Sequence, residues 1–241
     1  MKVSGETAIF RQALLLGLIL VLGAGLASID VIGPTLAASQ EIQQGVPMAP
    51  EDGGPRVWQV HGVSSGLNFR EGPSLSTSVL RRLTAGTILQ NLGCQPAEEG
   101  IWCYVQALSG GPVGYVAAEF LKPAVGPDGS VPMGEDQSSY RAGQGDFDAS
   151  GSIPCAQFSG QPMRECPFEV ARDSGGYATV VVTKPDGVER AVFFSLGLAT
   201  GADTSEADGY PEFSSGKEGD LHFIRIGDER YEIPDAVVLG G

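Results

Sequence analysis

Apolar and polar residues alternate over short stretches in the first half of the chain, and this pattern predicts β-strands. In residues 67–70, the apolar Leu67 and Phe69 point one way, and Asn68 and Arg70 point the other. Further short runs rich in Val, Ile and aromatic residues follow, separated by turns that contain Gly or Pro. Roughly five or six strands between residues 57 and 121, with a turn about every 8–12 residues, predict a small all-β barrel.

The second half shows the same kind of pattern in two hairpins. Residues 177–183 form a strand-like run, and residues 184–187 (K-P-D-G) form a turn in which Pro fixes φ and Gly accepts a positive φ. Residues 188–195 then return as the second strand. Residues 221–226 and 230–234 form the second hairpin in the same way. Because no segment has a convincing helical period, we predict a second small β domain.

Charge divides the chain at the place where Pro and Gly cluster. Residues 56–123 carry five basic and four acidic side chains, whereas residues 124–241 carry eight and twenty. We therefore predict a nearly neutral domain at 56–123, a flexible linker at 124–150 and an acidic C-terminal β domain at 151–241. The net charge of −14 disfavours binding to nucleic acid.

The N-terminus has the pattern of an export signal. The basic residues Lys2 and Arg11 come before an uncharged apolar run of fifteen residues, 13–27. Residues 33–39 (G-P-T-L-A-A-S) then supply a helix breaker and the small residues that a signal peptidase needs. We predict a signal peptide with a signal helix at residues 1–38 and a disordered spacer at 39–55.

The alternative for this segment is an uncleaved anchor. A membrane span needs about 20 residues, and the apolar run is shorter than that. Only an uncleaved anchor would bring the chain into contact with a membrane. Both interpretations predict an exported protein, either periplasmic or secreted.

The four cysteines occur as two local pairs. Four cysteines allow three pairings, and Cys94–Cys103 with Cys155–Cys166 is favoured because each bond closes a short loop inside one predicted domain. Disulfides agree with an oxidising compartment. The spacings do not fit a zinc site, and we expect neither a metal nor a cofactor.

Four sequence blocks of the first domain occur in a familiar order. They are L-N-F-R-E-G-P-S at 67–74, a step at 80–89 that contains Leu83, Gly86 and Thr87, W-C-Y-V at 102–105, and G-Y-V-A-A-E-F-L at 114–121. In this order they resemble the bacterial SH3-like (SH3b, SH3 type 3) domain family. The resemblance covers residues 56–123, about a quarter of the chain, and the C-terminal domain resembles no family as a whole.

The resemblance implies a binding module without catalytic activity. Members are associated with binding of peptidoglycan, peptides or other envelope components, so the expected partner is a cell-wall glycan or peptide, or an envelope protein. The candidate groove residues are Asn68, Arg70, Trp102, Tyr104 and Tyr115. In the alternative interpretation, Asn68 and Arg70 brace the following turn and Trp102 belongs to the core.

The second domain offers two weaker patterns. Residues 201–209 form an acidic loop in which Asp203, Ser205 and Asp208 superficially resemble calcium ligands, but the spacing does not match a calcium loop, so we expect a solvated loop. Residues 213–217 (F-S-S-G-K) are similar to the Ser-Gly-Lys stretch of periplasmic C-type lysozyme inhibitors. This gives an alternative function, inhibition of lysozyme through Lys217.

Catalysis has little support in the sequence. The chain has two histidines, His61 and His222, and a Cys-dependent cell-wall hydrolase would need Cys155 or Cys166 as a free thiol near His222. Those cysteines are expected to pair, and His222 is expected on the solvent face of its strand. We therefore predict no enzyme and keep a hydrolase, or an accessory of one, as the last alternative.

Overall fold

The computed structural model describes residues 45–108, 110–204, 209 and 211–241. The predicted signal peptide at 1–38 lies outside the described residues. The described chain folds into two antiparallel β-sheets with only short helical segments. This confirms the all-β prediction for both halves of the chain.

The first sheet contains seven strands in the order β3-β2-β6-β5-β4-β1-β7. The strands are β1 (Val57–Val60), β2 (Leu67–Arg70), β3 (Val79–Leu83), β4 (Ile88–Ala97), β5 (Gly100–Ala107), β6 (Val113–Ala117) and β7 (Leu121–Pro123). A short 3₁₀ helix, Ala118–Phe120, connects β6 to β7. The inner face of the sheet surrounds a core in which Phe69, Leu89, Val105 and Val116 are fully buried.

The second sheet contains eight strands in the order β12-β11-β10-β9-β8-β15-β14-β13. The strands are β8 (Ala149–Ala156), β9 (Arg164–Asp173), β10 (Tyr177–Thr183), β11 (Glu189–Ser195), β12 (Leu198–Ala202), β13 (Phe213–Glu218), β14 (Leu221–Ile226) and β15 (Glu229–Pro234). Its core contains Val180, Val192 and Ile233, which are fully buried. The Ser215 hydroxyl on β13 donates a hydrogen bond to the Ala199 carbonyl on β12, so the two outermost strands approach each other.

Both disulfides have the expected local pairing. Cys94 and Cys103 are directly opposite each other on β4 and β5, and Cys155 and Cys166 join β8 to β9. All four cysteines are therefore bonded.

The segment for which the sequence predicts a flexible linker, residues 124–150, packs against the turn between β9 and β10. The carboxylate of Asp128 accepts a hydrogen bond from the backbone N–H of Gly175, and buried Ser138 shares a hydrogen bond with Thr179 on β10. Gly175 has a φ of +75°, and a Cβ there would lie 2.7 Å from Pro132. A residue with a side chain would push the two segments apart.

Two short α-helices were not predicted. Helix α1 (Ser138–Gly143) lies against β9 and β10, and helix α2 (Asp235–Leu239) ends the chain with Val237 and Val238 buried. Helix α2 forms because the last apolar residues cover an open part of the second core. Within the described ranges, no helix is long and apolar enough to cross a membrane.

Part of the predicted spacer at 39–55 lies in the described region. Residues 45–55 contain a 3₁₀ turn at Pro50–Asp52 and contact β4 through Asn91. The side-chain amide of Asn91 donates to the carbonyls of Met48 and Pro55.

The expectation that His222 faces solvent is wrong. His222 is 1% exposed and lies on the inner face of β14 with Ile224 and Ile226. The outer face carries Phe223 and Arg225 instead. The inner position follows from strand alternation once the charged Arg225 is placed in solvent.

Candidate functional site

The five candidate groove residues all lie on the outer face of the first sheet, opposite the core. Asn68 and Arg70 are on β2, Tyr115 is on β6, and Trp102 and Tyr104 are on β5. In the sheet register, Arg70 is opposite Tyr115, and Tyr115 is opposite Tyr104. The alternation of β2, β5 and β6 therefore brings residues from distant parts of the chain onto one surface.

Three of the five surround one small cavity. Asn68, Arg70 and Trp102 line a volume of about 220 Å³. The remaining wall consists of residues from the loops and from the 3₁₀ helix, among them Leu75, Glu99, Glu119 and Phe120. We call this volume the SH3 cavity.

Trp102 is buried although it does not point into the core. Its exposed fraction is 3%, and the 3₁₀ helix Ala118–Phe120 packs against its strand. The indole Nε1–H is buried and has no hydrogen-bond partner among the described residues. An unpaired buried donor costs free energy, and a ligand atom that entered the cavity and reached this N–H would recover that cost.

Asn68 and Arg70 differ in the hydrogen bonds that their side chains make within the protein. Arg70 Nη1 donates to the carbonyl oxygen of Thr77 at 2.6 Å and thereby braces the turn between β2 and β3. The Thr77 hydroxyl lies 2.9 Å from the carbonyl oxygens of both Gly72 and Ser74 in the same turn, so its single hydrogen is donated to one of them or shared between them. The half-buried side-chain amide of Asn68 makes no hydrogen bond with the described part of the chain. Its donors and acceptor therefore remain available beside the cavity.

Tyr104 and Tyr115 continue this surface away from the cavity. Their ring centroids are 4.9 Å apart with a tilt of 38° between the planes. Both rings are half-buried, so each has a face or an edge in solvent. The pair forms an aromatic strip next to Arg70.

Gly114 allows β6 to lie close to β2. A Cβ at this position would be 2.6 Å from the carbonyl oxygen of Arg70 and 2.7 Å from the ring of Phe69. The glycine of the G-Y-V block thus sets the distance between Tyr115 and Arg70.

The chemistry of this surface suits recognition of a ligand. It offers amide and indole hydrogen-bonding groups, aromatic faces, one guanidinium that is already engaged, and the carboxylates of Glu99 and Glu119. Among the described residues, no group of three or more His, Cys, Asp or Glu side chains could hold a metal ion.

The acidic loop of the second domain is only partly described. The Asp203 carboxylate accepts a hydrogen bond from the backbone N–H of Ala191, and burial raises its pKa. Ser205 and Asp208, the other candidate calcium ligands, lie outside the described residues.

A buried network of charges in the second domain was missed by the sequence analysis. Glu229 accepts hydrogen bonds from Lys184 at 2.9 Å, from Arg190 at 3.0 Å and from the Tyr231 hydroxyl at 2.8 Å. Burial raises the pKa of Glu229, but these hydrogen bonds outweigh burial and hold the pKa below its ordinary value. Lys184 lies in the turn after β10 and Arg190 lies on β11, far from Glu229 in the sequence, so no local sequence pattern signals the network.

His222 belongs to a second polar group. The structure also excludes a free cysteine nucleophile that would act beside His222. His222 Nε2 lies 2.8 Å from Asp235 Oδ1, and Lys217 Nζ lies 2.7 Å from the same oxygen. Because Cys155 and Cys166 are bonded to each other, neither is a free nucleophile. The alternative of a Cys-dependent hydrolase is therefore wrong.

Comparison with known proteins supports the assignment of the first domain. Residues 65–122 match the family model described as bacterial SH3 domain. Comparison with curated proteins and with solved structures found no match. Bacterial SH3 domains are typically binding modules that commonly recognise cell-wall components, and this domain together with the disulfides is consistent with an exported protein. The described strands, the four sequence blocks and the family match together identify residues 65–122 of this chain as a bacterial SH3 domain.

Proposed function

We propose that this is an exported envelope protein whose SH3 domain binds peptidoglycan without catalysing a reaction. The observation that carries the proposal is that Trp102, whose buried indole N–H is unpaired, and Asn68, whose amide makes no hydrogen bond within the described chain, both line the SH3 cavity. The predicted signal peptide at residues 1–38 and the two disulfides support a periplasmic or secreted location.

The hydrogen-bonding groups of the cavity complement an amide. The Trp102 indole can only donate, whereas the Asn68 amide both donates and accepts. A secondary amide presents one carbonyl and one N–H, so it can satisfy both residues at once. Peptidoglycan is rich in such amides, both in its N-acetyl groups and in its peptide bonds.

The charged and aromatic groups favour a peptide-bearing part of the wall. Glu99 and Glu119 place negative charge on the cavity wall, which attracts a ligand amino group. The Tyr104–Tyr115 strip next to the cavity offers an aromatic face on which a sugar ring or an apolar side chain packs. We therefore expect a ligand that joins amides with an amino group.

A sedimentation assay with purified peptidoglycan tests this proposal. We expect the mature protein to sediment with the wall, and Trp102→Phe and Asn68→Ala to weaken sedimentation about tenfold because each removes one hydrogen-bonding group. Lys122→Gln, an exposed change on β7, is the control and should sediment like the wild type. If the folded wild type stays in the supernatant, or if both cavity variants sediment unchanged, the proposal is wrong.

A second candidate function is inhibition of lysozyme by the C-terminal domain. It is favoured by the position of residues 214–217 (S-S-G-K) on β13, an exposed strand at the end of its sheet. The Lys217 ammonium is paired with Asp235, which holds the side chain in place. A lysozyme rate assay with the whole protein tests this idea, and Lys217→Ala should abolish any inhibition.

A further inference from the structure

Two arginines lie directly opposite each other on the outer face of the second sheet. Arg225 on β14 and Arg230 on β15 are partners in the strand register, and Ser214 on β13 is opposite Arg225. Like charges in directly opposed positions of an antiparallel pair are destabilising. This arrangement therefore carries an electrostatic cost.

Neither arginine has an ion-pair partner among the described residues, although this half of the chain is strongly acidic. Arg230 Nη2 donates to the carbonyl oxygen of Gln161, and its Nε is buried without a partner. Arg225 is exposed and makes no hydrogen bond within the described chain. Two neighbouring guanidiniums are thus left with free donors amid an excess of carboxylates.

The two side chains line a groove that we call the arginine groove. Its volume is about 440 Å³, and its lining includes Arg225, Arg230, Phe223, Glu232 and Met163. Phe223 is 39% exposed and lies opposite Gly216, which has no side chain to cover the ring. The groove therefore combines the two guanidiniums and the carboxylate of Glu232 with an aromatic surface.

We propose that the arginine groove binds an extended peptide that carries a carboxylate side chain. The planar donor fork of an arginine matches a carboxylate, and a carboxylate between Arg225 and Arg230 would relieve their mutual repulsion. Phe223 supplies an apolar contact for the neighbouring part of the peptide.

The adjoining strand gives the reason for an extended peptide. Residues 214–216 of β13 also line the groove, and β13 is the last strand of its sheet. Because β12 approaches the outer edge of β13, we place the peptide across the outer face of β13, β14 and β15, where lining residues of three adjacent strands offer contacts along its length. The net charge of −14 repels long polyanions, so a short peptide with few carboxylates fits better than an anionic polymer.

A binding titration with two matched peptides tests the proposal. The probes are a short capped peptide in which Glu alternates with Ala and the same peptide with Gln in place of Glu. We expect the wild-type protein to bind the Glu peptide at least about tenfold more tightly than the Gln peptide, and Arg225→Gln to remove that preference. Arg225 has no described partner and lies opposite Arg230, so this variant should unfold at or slightly above the wild-type midpoint.

Two further variants sharpen the result. Arg230→Lys keeps the charge but loses the planar fork, and it should bind the Glu peptide with intermediate affinity. Lys122→Gln removes one positive charge from the first domain and should bind like the wild type. Retained binding of the Glu peptide by Trp102→Phe would separate this groove from the SH3 cavity.

Three results would overturn the proposal. The first is equal binding, or no binding, of the Glu and Gln peptides by the wild type. The second is an unchanged preference in Arg225→Gln. The third is displacement of the Glu peptide by inorganic phosphate at a similar concentration, because it would indicate a simple anion site without peptide recognition.

Discussion

The guanidinium of Arg56 and the carboxylate of Asp173 meet at 2.7 Å and join the first domain to the second. Arg56 precedes β1, whereas Asp173 is the last residue of β9. Arg56 also donates to the carbonyl oxygens of Gly134 and Glu135 and lies over the ring of Tyr177, with its Cζ 4.7 Å from the ring centroid. One buried side chain therefore contacts the connecting segment and the second sheet together.

Asp173→Asn should destabilise the protein by about 3 kcal/mol, because it leaves the 7%-exposed Arg56 without its charge partner. Burial raises the pKa of Asp173, but hydrogen bonds from the backbone N–H groups of Gln137 and Ser174 and the charge of Arg56 outweigh it and lower the pKa. Urea unfolding at neutral pH measures the loss. Asp228→Asn, an exposed change in the β14–β15 turn at a side chain with no described hydrogen bond or ion pair, is the control. An equal unfolding midpoint for wild type and Asp173→Asn would contradict this role.

Asn68→Ala and Arg70→Ala should separate the binding role from the bracing role. Asn68 makes no described hydrogen bond, so its loss should change stability by less than about 0.5 kcal/mol. Arg70 loses its hydrogen bond to Thr77, which should cost about 1 kcal/mol. Thermal unfolding compares the two variants. A larger loss for Asn68→Ala than for Arg70→Ala would show that Asn68 has a structural partner.

Glu229→Gln should be among the most destabilising single substitutions in the second domain. It removes the negative charge that Lys184 and Arg190 share in a buried setting, at an expected cost of about 3–5 kcal/mol. Glu232→Gln on the same strand is the matched control, since Glu232 is only half-buried and has no described ion pair. The comparison uses urea midpoints, and similar midpoints for the two variants would argue against a cooperative network.

Removing either disulfide should lower stability by about 2–3 kcal/mol, because each bond restricts the unfolded chain. The double substitution Cys94→Ser with Cys103→Ser tests the first domain, and Cys155→Ser with Cys166→Ser tests the second. A thiol assay on the denatured, unreduced protein should find no free thiol. Any titratable thiol in that assay would contradict the pairing.

The stability of the second domain should fall as the pH drops below about 6.5, the ordinary pKa of histidine. Burial lowers the pKa of His222 and Lys217 lowers it further, which outweighs the opposing effect of Asp235. The unfolded chain therefore takes up a proton at a higher pH than the folded chain, so the stabilisation is complete above that pH. As the pH falls further, this stabilisation is lost progressively until the pH reaches the lowered pKa that His222 has in the folded protein.

Unfolding midpoints measured across this pH range check the expectation. His222→Gln should flatten the pH dependence, whereas His61→Gln, which removes the other histidine, should leave it unchanged. If His61→Gln flattens the curve instead, the proton uptake does not belong to His222.

The sequence supports the strands of the first domain well because their signals are local. Leu67 to Arg70 alternate, and the pair Cys94 and Cys103 closes a short loop between neighbouring strands. The outer-face location of the five candidate residues follows from that alternation. The burial of Trp102 does not follow from the alternation, because it depends on the packing of the 3₁₀ helix Ala118–Phe120 against β5.

The second domain shows where local patterns are ambiguous. Apolar residues occupy both faces of β14, so Leu221 and Phe223 suggest one strand phase while Ile224 and Ile226 suggest the other. Arg225 decides between them and places His222 inside. The contacts of residues 124–150 are harder to predict, because they are made with a distant turn, as between Asp128 and Gly175, which are 47 residues apart in the sequence.

The packing of residues 124–150 also matters for a ligand that contacts both halves of the protein. A loose tether would have to be ordered each time the second contact forms, and that ordering subtracts from the affinity. Here the connecting segment is already held in place through Arg56, Asp173 and Gly175. A ligand that spans the SH3 cavity and the arginine groove would therefore gain avidity only if its length matches a spacing that the protein has set in advance.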